Sequence, residues 1–416
     1  MLKTSFIDEV TEKKMNIDDV KSPAHATAGL VFIVILSALM AFTSLSTDIY
    51  LPAMPEMARS LHGNAELTIT GFLIGFAIAQ LVWGPVSDQL GRKRPLYIGM
   101  VLFIIGSAGC AISTSMHEIV FWRVFQAVGA CTGPMLARAM VRDIFTRTRA
   151  AQMLSTLIII MAIAPIVGPL LGGQLISYSH WPSIFWLLTG IGALMLFSLT
   201  WLPETHPKEK RTGTSVRGAF KNYQLLLCNK LFMRFTLCVT FYYTAAYAFI
   251  VGSPSVYINY YGIAPQHYGW LFAVNIVGVV LISTVNKRLV QKIALERLLK
   301  YSTLVASIMV LLLCLSLFLK PGAIIPVILC IFIFFSMNGI IAASATAAAL
   351  DAAEGFTGSA SALIGSLQYG SGIISSLVPA WLNNGTPWPM VGIMTTFTLM
   401  SLIIAVKNYT APHMPR

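Results

Sequence analysis

Charge is what this sequence lacks. Only 11% of its 416 residues are Asp, Glu, Lys or Arg, against 56% hydrophobic residues. A soluble globular domain carries roughly 25% charged residues. Depletion on this scale excludes a water-soluble domain and places most of the chain in lipid. Acids are scarcest, 16 against 28 Lys and Arg. The basic excess does not point to nucleic acid, because the bases sit in short loops between apolar runs and form no single stripe. The six cysteines (Cys110, Cys131, Cys228, Cys238, Cys314, Cys330) fall in or beside apolar runs, with no CxxC pair. That excludes a disulfide framework and a zinc site, and reads as six small buried hydrophobes. HExxH, GxSxG and a buried Ser–His pair are all missing, and every histidine sits in a loop or at the end of a run. The chain is therefore expected to be no enzyme, and to hold no metal and no cofactor.

Long apolar runs are what is present. A span needs roughly 20 apolar residues. The stretches 22–47, 67–87, 95–117 and 119–137 supply four, the last crossed by Arg123. The stretches 150–203, 235–286 and 355–406 are each long enough for two, with Pro-, Gly- and Asn-bearing breaks at 177–182, 259–267 and 383–389. The stretches 301–319 and 321–350 add one each. The expectation is an all-α membrane protein of twelve transmembrane helices, with Trp181 and Trp388 as interfacial anchors. The first run is too long for a signal-peptide core and reads as an uncleaved span. The Lys and Arg of the loops fall on one side except Arg59 and Lys320, so both termini are expected in the cytoplasm. The longest connection divides the chain evenly. A cytoplasmic tail (1–27) precedes a six-helix bundle (28–203), a cytoplasmic linker (204–230), a second six-helix bundle (231–407) and a tail (408–416). The linker reads as a hinge between repeats rather than a plain tether.

Sorting the acids by position leaves one inside a span, Asp48, late in span 1. The same sort of the bases leaves Arg123, early in span 4. The two spans run in opposite directions, so both residues are expected in the outer half at similar depth. Intramembrane charges cost about 2.5–3.5 kcal/mol on insertion scales and face a bundle interior or a watery cavity. Burial favours the neutral acid and a nearby arginine favours the anion, so an acid held between them can load and release a proton. The alternatives are a static buried ion pair, or an Asp48 lying at headgroup depth.

Four motifs carry a resemblance. Gly84, Asp88, Gly91, Arg92 and Lys93 fit a Gly-x-x-x-Asp-Arg-x-Gly-Arg-Lys loop between spans 2 and 3, with Gln89 where Arg is usual. Arg123, Gln126 and Gly129 fit Arg-x-x-Gln-Gly-x-Gly in span 4. Gly168, Pro169, Gly172 and Gly173 fit Gly-x-x-x-Gly-Pro-x-x-Gly-Gly in span 5, with Ala164 at the first glycine position. Span 1 carries "TDIYLPAMP", span 6 closes on "LPET", and span 7 holds "GSPSVYI". The chain resembles the major facilitator superfamily, and within it the twelve-span drug:proton antiporters that export bicyclomycin and chloramphenicol or florfenicol. The resemblance runs from about Ala28 to Lys407. It implies two pseudo-symmetric six-helix bundles, proton coupling through Asp48 and Arg123, and a gating loop at Gly84, Asp88, Gly91 and Arg92 that meets span 11 near Gly358. It also implies an antiporter motif at Gly168, Pro169, Gly172 and Gly173 that seals the pathway.

Candidate cavity residues follow from position. Tyr243 and Tyr247 share a helix face, Tyr242 and Phe249 a neighbouring one, and aromatic bodies with polar tips suit amphipathic drugs. Asn275, Asn338 and Gln368 are uncharged polar groups in mid-span, lining a cavity or bonding a neighbouring helix. Tyr50 and Gln126 are counted with the cavity. The expected function is proton-coupled efflux of amphipathic small molecules, antibiotics above all, by alternating access in a bacterial inner membrane. The expected partners are drugs, protons and the bilayer, with no nucleic acid, and the expected state is a monomer. A metabolite exporter or a proton symporter on the same fold is the alternative. The span-5 motif speaks against the symporter.

Overall fold

In a computed structural model, residues 30–145, 150, 153, 154, 156, 157, 160–211, 216–319, 322–353, 356–382 and 385–407 are described. The expected tails, the linker residues 212–215 and part of the fifth expected span lie outside them. Among the described residues the elements are helical and no strand occurs. The helices are α1 (Leu30–Asp48), α2 (Met54–Ser60), α3 (Glu66–Leu90), α4 (Lys93–Ile112), α5 (Met116–Ile144), α6 (Ala164–Tyr178) and α7 (Pro182–Ser198). Next come α8 (Val216–Cys228), inside the expected linker, and then α9 (Lys230–Pro254), α10 (Pro265–Leu289), α11 (Leu295–Leu319), α12 (Ile324–Ser336), α13 (Asn338–Asp351), α14 (Thr357–Leu382) and α15 (Trp388–Val406). Helices dominate because in lipid every backbone amide must be bonded within its own segment.

Ten helical stretches among the described residues are long and apolar enough to cross a membrane. Two of the twelve expected spans are not among them. The fifth is described only in part, as α6. The eleventh, α14, has 26 residues, but it carries a run of serines and glycines in place of leucines, because it lies along α3 with its small side chains inward. Elsewhere the outward faces are apolar. Leu194, Phe318 and Leu319 stay exposed, which suits hydrocarbon rather than water.

In the first half of the chain α5 packs against α1, α3 and α4, α4 against α7, and α1 against α6. In the second half α9 packs against α13, α14 and α15, and α12 against α10 and α11. Two broad contacts join the halves, α3 with α14 and α6 with α10. Within the expected linker, α8 packs on α9, α14 and α3, and its Tyr223 hydroxyl donates to the Leu81 carbonyl of α3 at 3.1 Å. Two smaller expectations change. Trp181 is only 6% exposed and donates from Nε1 to Ser60 Oγ at 2.8 Å, so it packs inside rather than anchoring at the interface. Cys228 is exposed, unlike the buried Cys110, Cys131 and Cys238.

Candidate functional site

Proline sets the position of Asp48. Pro52 has no N–H to donate to the carbonyl four residues back, which is that of Asp48. Helix α1 therefore ends at Asp48, turns through Ile49 and Tyr50, and restarts as a 3-10 turn, Leu51–Ala53, and α2. Asp48 is 7% exposed, and its Oδ1 accepts from Thr47 Oγ1 at 3.1 Å. None of the ion pairs among the described residues includes it.

Bare backbone from α6 presses on this bend. A Cβ on Gly168 would stand 3.3 Å from Asp48 Cβ and 3.2 Å from the Ile49 nitrogen, and one on Gly172 would overlap the Ile49 carbonyl oxygen. Pro169 is buried between them. Gly173 faces the second half, where a Cβ would lie 2.7 Å from the Pro265 carbonyl at the start of α10. The motif is thus a wedge between Asp48 and α10. Across the seam, Asp48 lies within electrostatic reach of Tyr247 on α9, Tyr268 on α10 and Tyr369 on α14. A row of rings runs alongside. Tyr243 and Tyr247 have centroids 6.3 Å apart, Tyr247 and Tyr369 6.2 Å, and Tyr369 rests on Phe76 of α3 at 4.1 Å. Asn338 lies against the Tyr243 hydroxyl.

Arg123 does not pair with Asp48. It is fully buried, its guanidinium 4.4 Å from the Tyr50 ring, 4.5 Å from Phe72 and 5.9 Å from Phe185. Its Nε donates to the Thr68 carbonyl at 3.4 Å, and its Nη1 donates to the Ser46 carbonyl at 3.3 Å and to Gln126 Oε1. An arginine fork in an aromatic cage holds its charge by ring quadrupoles and carbonyl dipoles in place of a carboxylate. Because Ser46 lies two residues before Asp48, Arg123 fixes the end of α1 and positions the acid without touching it.

The remaining expected cavity residues divide. Tyr50 is buried with its hydroxyl 3.1 Å from Thr68 Oγ1, and Gln126 donates to Ser107 Oγ at 2.7 Å, so both belong to the packing around Arg123. Asn275 donates to its own helix at the Leu271 carbonyl, 3.3 Å away. Tyr242 is committed to the second half, its hydroxyl donating to the Phe334 carbonyl at 2.8 Å. Tyr243, Tyr247 and Asn338 stay at the ring row. None of Tyr50, Gln126, Tyr243, Tyr247, Asn275 or Asn338 lines the open cavity of about 390 Å³ that the fold contains. That cavity lies between α3 and α5 on one wall and α8 and α14 on the other, on the side of the α3–α4 loop.

The loop beside it is a charge cluster. Gly91 ends α3 with φ 89°, a left-handed conformation that glycine adopts freely. Arg92, 7% exposed, donates to Asp88 Oδ1 at 2.7 Å, Asp143 Oδ2 at 2.9 Å and Ser87 Oγ at 2.8 Å. Burial opposes its charge, but the bonds and charges of Asp143 and Asp88 outweigh that and hold its pKa above the ordinary arginine value. Glu204, from the "LPET" sequence, caps α4 by accepting from the backbone N–H of Arg92 at 2.9 Å and of Lys93 at 3.1 Å. So the acid at the helix N-terminus is Glu204. Asp88 bonds Arg92, and Gly84 and Gly358 line the cavity.

The opposite face is closed. Asn64 Nδ2 donates to the Ala380 carbonyl at 2.7 Å and Thr70 Oγ1 to Ser376 Oγ at 2.6 Å, both bonds joining the first half to α14. Thr70→Val keeps the shape and removes one of them. A bond of this kind is worth about 0.5–1.5 kcal/mol, so the open form of this face should gain population by about 2- to 12-fold. Pulsed electron-spin distances between labels at Arg59 and Asn259 should lengthen in the variant.

An apolar-faced bundle, closed at one face of its seam, hollow at the other and holding a lone acid between, is the architecture of a membrane transporter. A family model described as the Major Facilitator Superfamily matches residues 36–376. The chain belongs to that superfamily, as a multi-pass membrane transporter and not an enzyme. It is 35% identical over 367 residues to the MFS-type transporter YdgK of Bacillus subtilis (strain 168), covering 86% of this chain and 90% of the relative. It is 28% identical to a bicyclomycin resistance protein homolog of Haemophilus influenzae, covering 90% and 94%. In fold it is similar to the nucleoside transporter NupG, at a TM-score of 0.71 and 12% identity over 91% of this chain and 98% of that one.

Proposed function

We propose that this protein is a proton-driven exporter of amphipathic small molecules of the bicyclomycin or chloramphenicol type. Residues 28–203 and 231–407 act as two six-helix bundles, twelve spans in all, that rock about the seam on the linker at 204–230. Both termini lie in the cytoplasm of a bacterial cell, the cavity faces the same way, and the working unit is a monomer that needs no cofactor. Asp48 carries the coupled proton. The observation that carries this reading is the placement of Asp48, an acid within a span, with no ion pair among the described residues, beside a row of tyrosines. An uncompensated buried carboxylate is costly as an anion and cheap as an acid, so its protonation can be exchanged for a bound drug. Arg123 holds the helix end that presents it. The α6 wedge, shared between Asp48 and α10, favours antiport over symport, because it ties the acid's position to the contact between the bundles.

One proton in for each neutral drug out moves one net charge inward. The membrane potential then contributes about 2.3 kcal/mol per 100 mV. The test is chloramphenicol uptake into proteoliposomes with the cavity side outward. An inside-positive potential is set by inward potassium through valinomycin, with no pH gradient. Uptake should rise with the imposed potential. Uptake that ignores both the potential and an imposed pH gradient would overturn the proton-driven reading.

A further inference from the structure

We infer that Arg138 is a specificity-determining residue, one that opens the cavity to neutral and anionic amphipathic molecules and turns away organic cations. The inference rests on the reading of the cavity as the substrate's way in. Four charged side chains line the cavity, Asp88, Arg92, Arg138 and Arg142. Asp88 is paired with Arg92, and Arg92 is further paired with Asp143. Asp88 is thus bonded to Arg92, and Arg138 and Arg142 add positive charge to the wall.

Arg138 is the deeper of these two. It sits on α5, the helix of Arg123, well before its end at Ile144. Its Nε donates to the Pro134 carbonyl of its own helix at 2.9 Å, which fixes the plane of the guanidinium. The side chain is exposed to the cavity, and among the described residues no carboxylate forms an ion pair with it. It lies within electrostatic reach of Tyr369, the ring that also lies within reach of Asp48. A molecule moving from the cavity toward Asp48 passes this cation first. The fork suits a nitro, carbonyl, sulfonyl or carboxylate group. Tyr369 and the cavity-lining Phe356 offer apolar surface for the molecule's body. A permanent cation meets the same fork as a like charge in a space with low-dielectric walls, where repulsion is strong.

The test uses the full chain and three probes: neutral chloramphenicol, its anionic hemisuccinate ester, and the cation tetraphenylphosphonium. Binding is measured by titration calorimetry in detergent, and proton-driven flux in proteoliposomes. Wild type should bind and carry chloramphenicol and the hemisuccinate, with tetraphenylphosphonium at background. Arg138→Gln should weaken the hemisuccinate about tenfold and chloramphenicol by less, because the amide still donates to a nitro or carbonyl group but no longer pairs a carboxylate, and Arg138→Glu should admit tetraphenylphosphonium. Wild type that binds the cation as well as chloramphenicol overturns the inference, and so does an unchanged ranking of the three probes in both folded variants. The two readings separate cleanly. Charge-selective binding without proton-driven flux defeats the exporter and keeps the filter. Flux without charge selection defeats the filter and keeps the exporter.

Discussion

Asp48→Asn should reduce proton-driven efflux to the rate of empty vesicles while the protein folds normally. The amide has the size of the carboxyl group and can still accept from Thr47 Oγ1, so the bend after α1 keeps its local bond. No ion pair is broken, because none of those among the described residues includes Asp48. The structural cost is therefore small, unlike the 3–5 kcal/mol that breaking a buried pair costs in other proteins. What disappears is the ability to exist in two charge states. Exchange of labelled for unlabelled drug across the membrane needs no net proton movement, so counterflow should survive in the variant. In a pump-deficient bacterium, drug tolerance should fall to that of cells without the gene. Wild-type tolerance from Asp48→Asn at equal expression would show that another group carries the proton. The nearest candidate is Glu66, an acid buried at the start of α3 on the closed face.

Asp48 was visible in the sequence because charge inside an apolar run is conspicuous whatever the fold does with it. The helices were visible for the same reason, since lipid demands long uninterrupted apolar runs. The limits of that signal appear at Arg138 and Arg142. Sequence counting assigns both to a cytoplasmic loop, because the charge-free run stops at residue 137. Helix α5 continues to Ile144, and both residues line the cavity. A charge in the sequence marks where lipid contact ends, and a helix that borders a watery cavity loses lipid contact before it ends. The low hydropathy of α14 has a related origin: its serines face α3 and α9, as in the bonds from Ser366 to the Ala77 carbonyl at 2.9 Å, from Thr70 to Ser376 at 2.6 Å and from Ser375 to the Thr244 carbonyl at 2.5 Å.

The partners of Arg123 could not be read in advance. Tyr50, Phe72 and Phe185 come from three separate segments, and only packing brings them around one guanidinium. A sequence containing one acid and one base within its spans invites an ion pair. The fold instead gives the base to rings and carbonyls and leaves the acid alone. Glu204 is a similar case. Its position after α7 carries no sign that it reaches the N-terminus of α4, more than a hundred residues earlier in the chain.

Gly172→Ala should disable transport more than its single added methyl suggests, and Gly190→Ala should not. The new Cβ at 172 would overlap the Ile49 carbonyl oxygen. That atom belongs to backbone and cannot swing aside as a side chain could. Helix α6 cannot retreat freely either, because Gly173 on its other side is already against the backbone of Pro265 and Gln266. Overpacking of this kind costs typically about 1–3 kcal/mol. Here relief requires moving either the bend that carries Asp48 or the α6–α10 contact between the halves. At Gly190, on α7, a Cβ meets nothing within 4 Å, and an alanine there should favour the helix by up to about 1 kcal/mol. The measurements are flux per folded molecule and melting temperature in detergent. If the wedge links Asp48 to the seam, Gly172→Ala should lose flux about tenfold or more in the molecules that remain folded, and Gly190→Ala should match wild type in flux with a melting temperature no lower than wild type. A lower melting temperature with wild-type flux per folded molecule would mean that the glycines serve close packing alone, and that the position of the acid is not tied to the contact between the bundles.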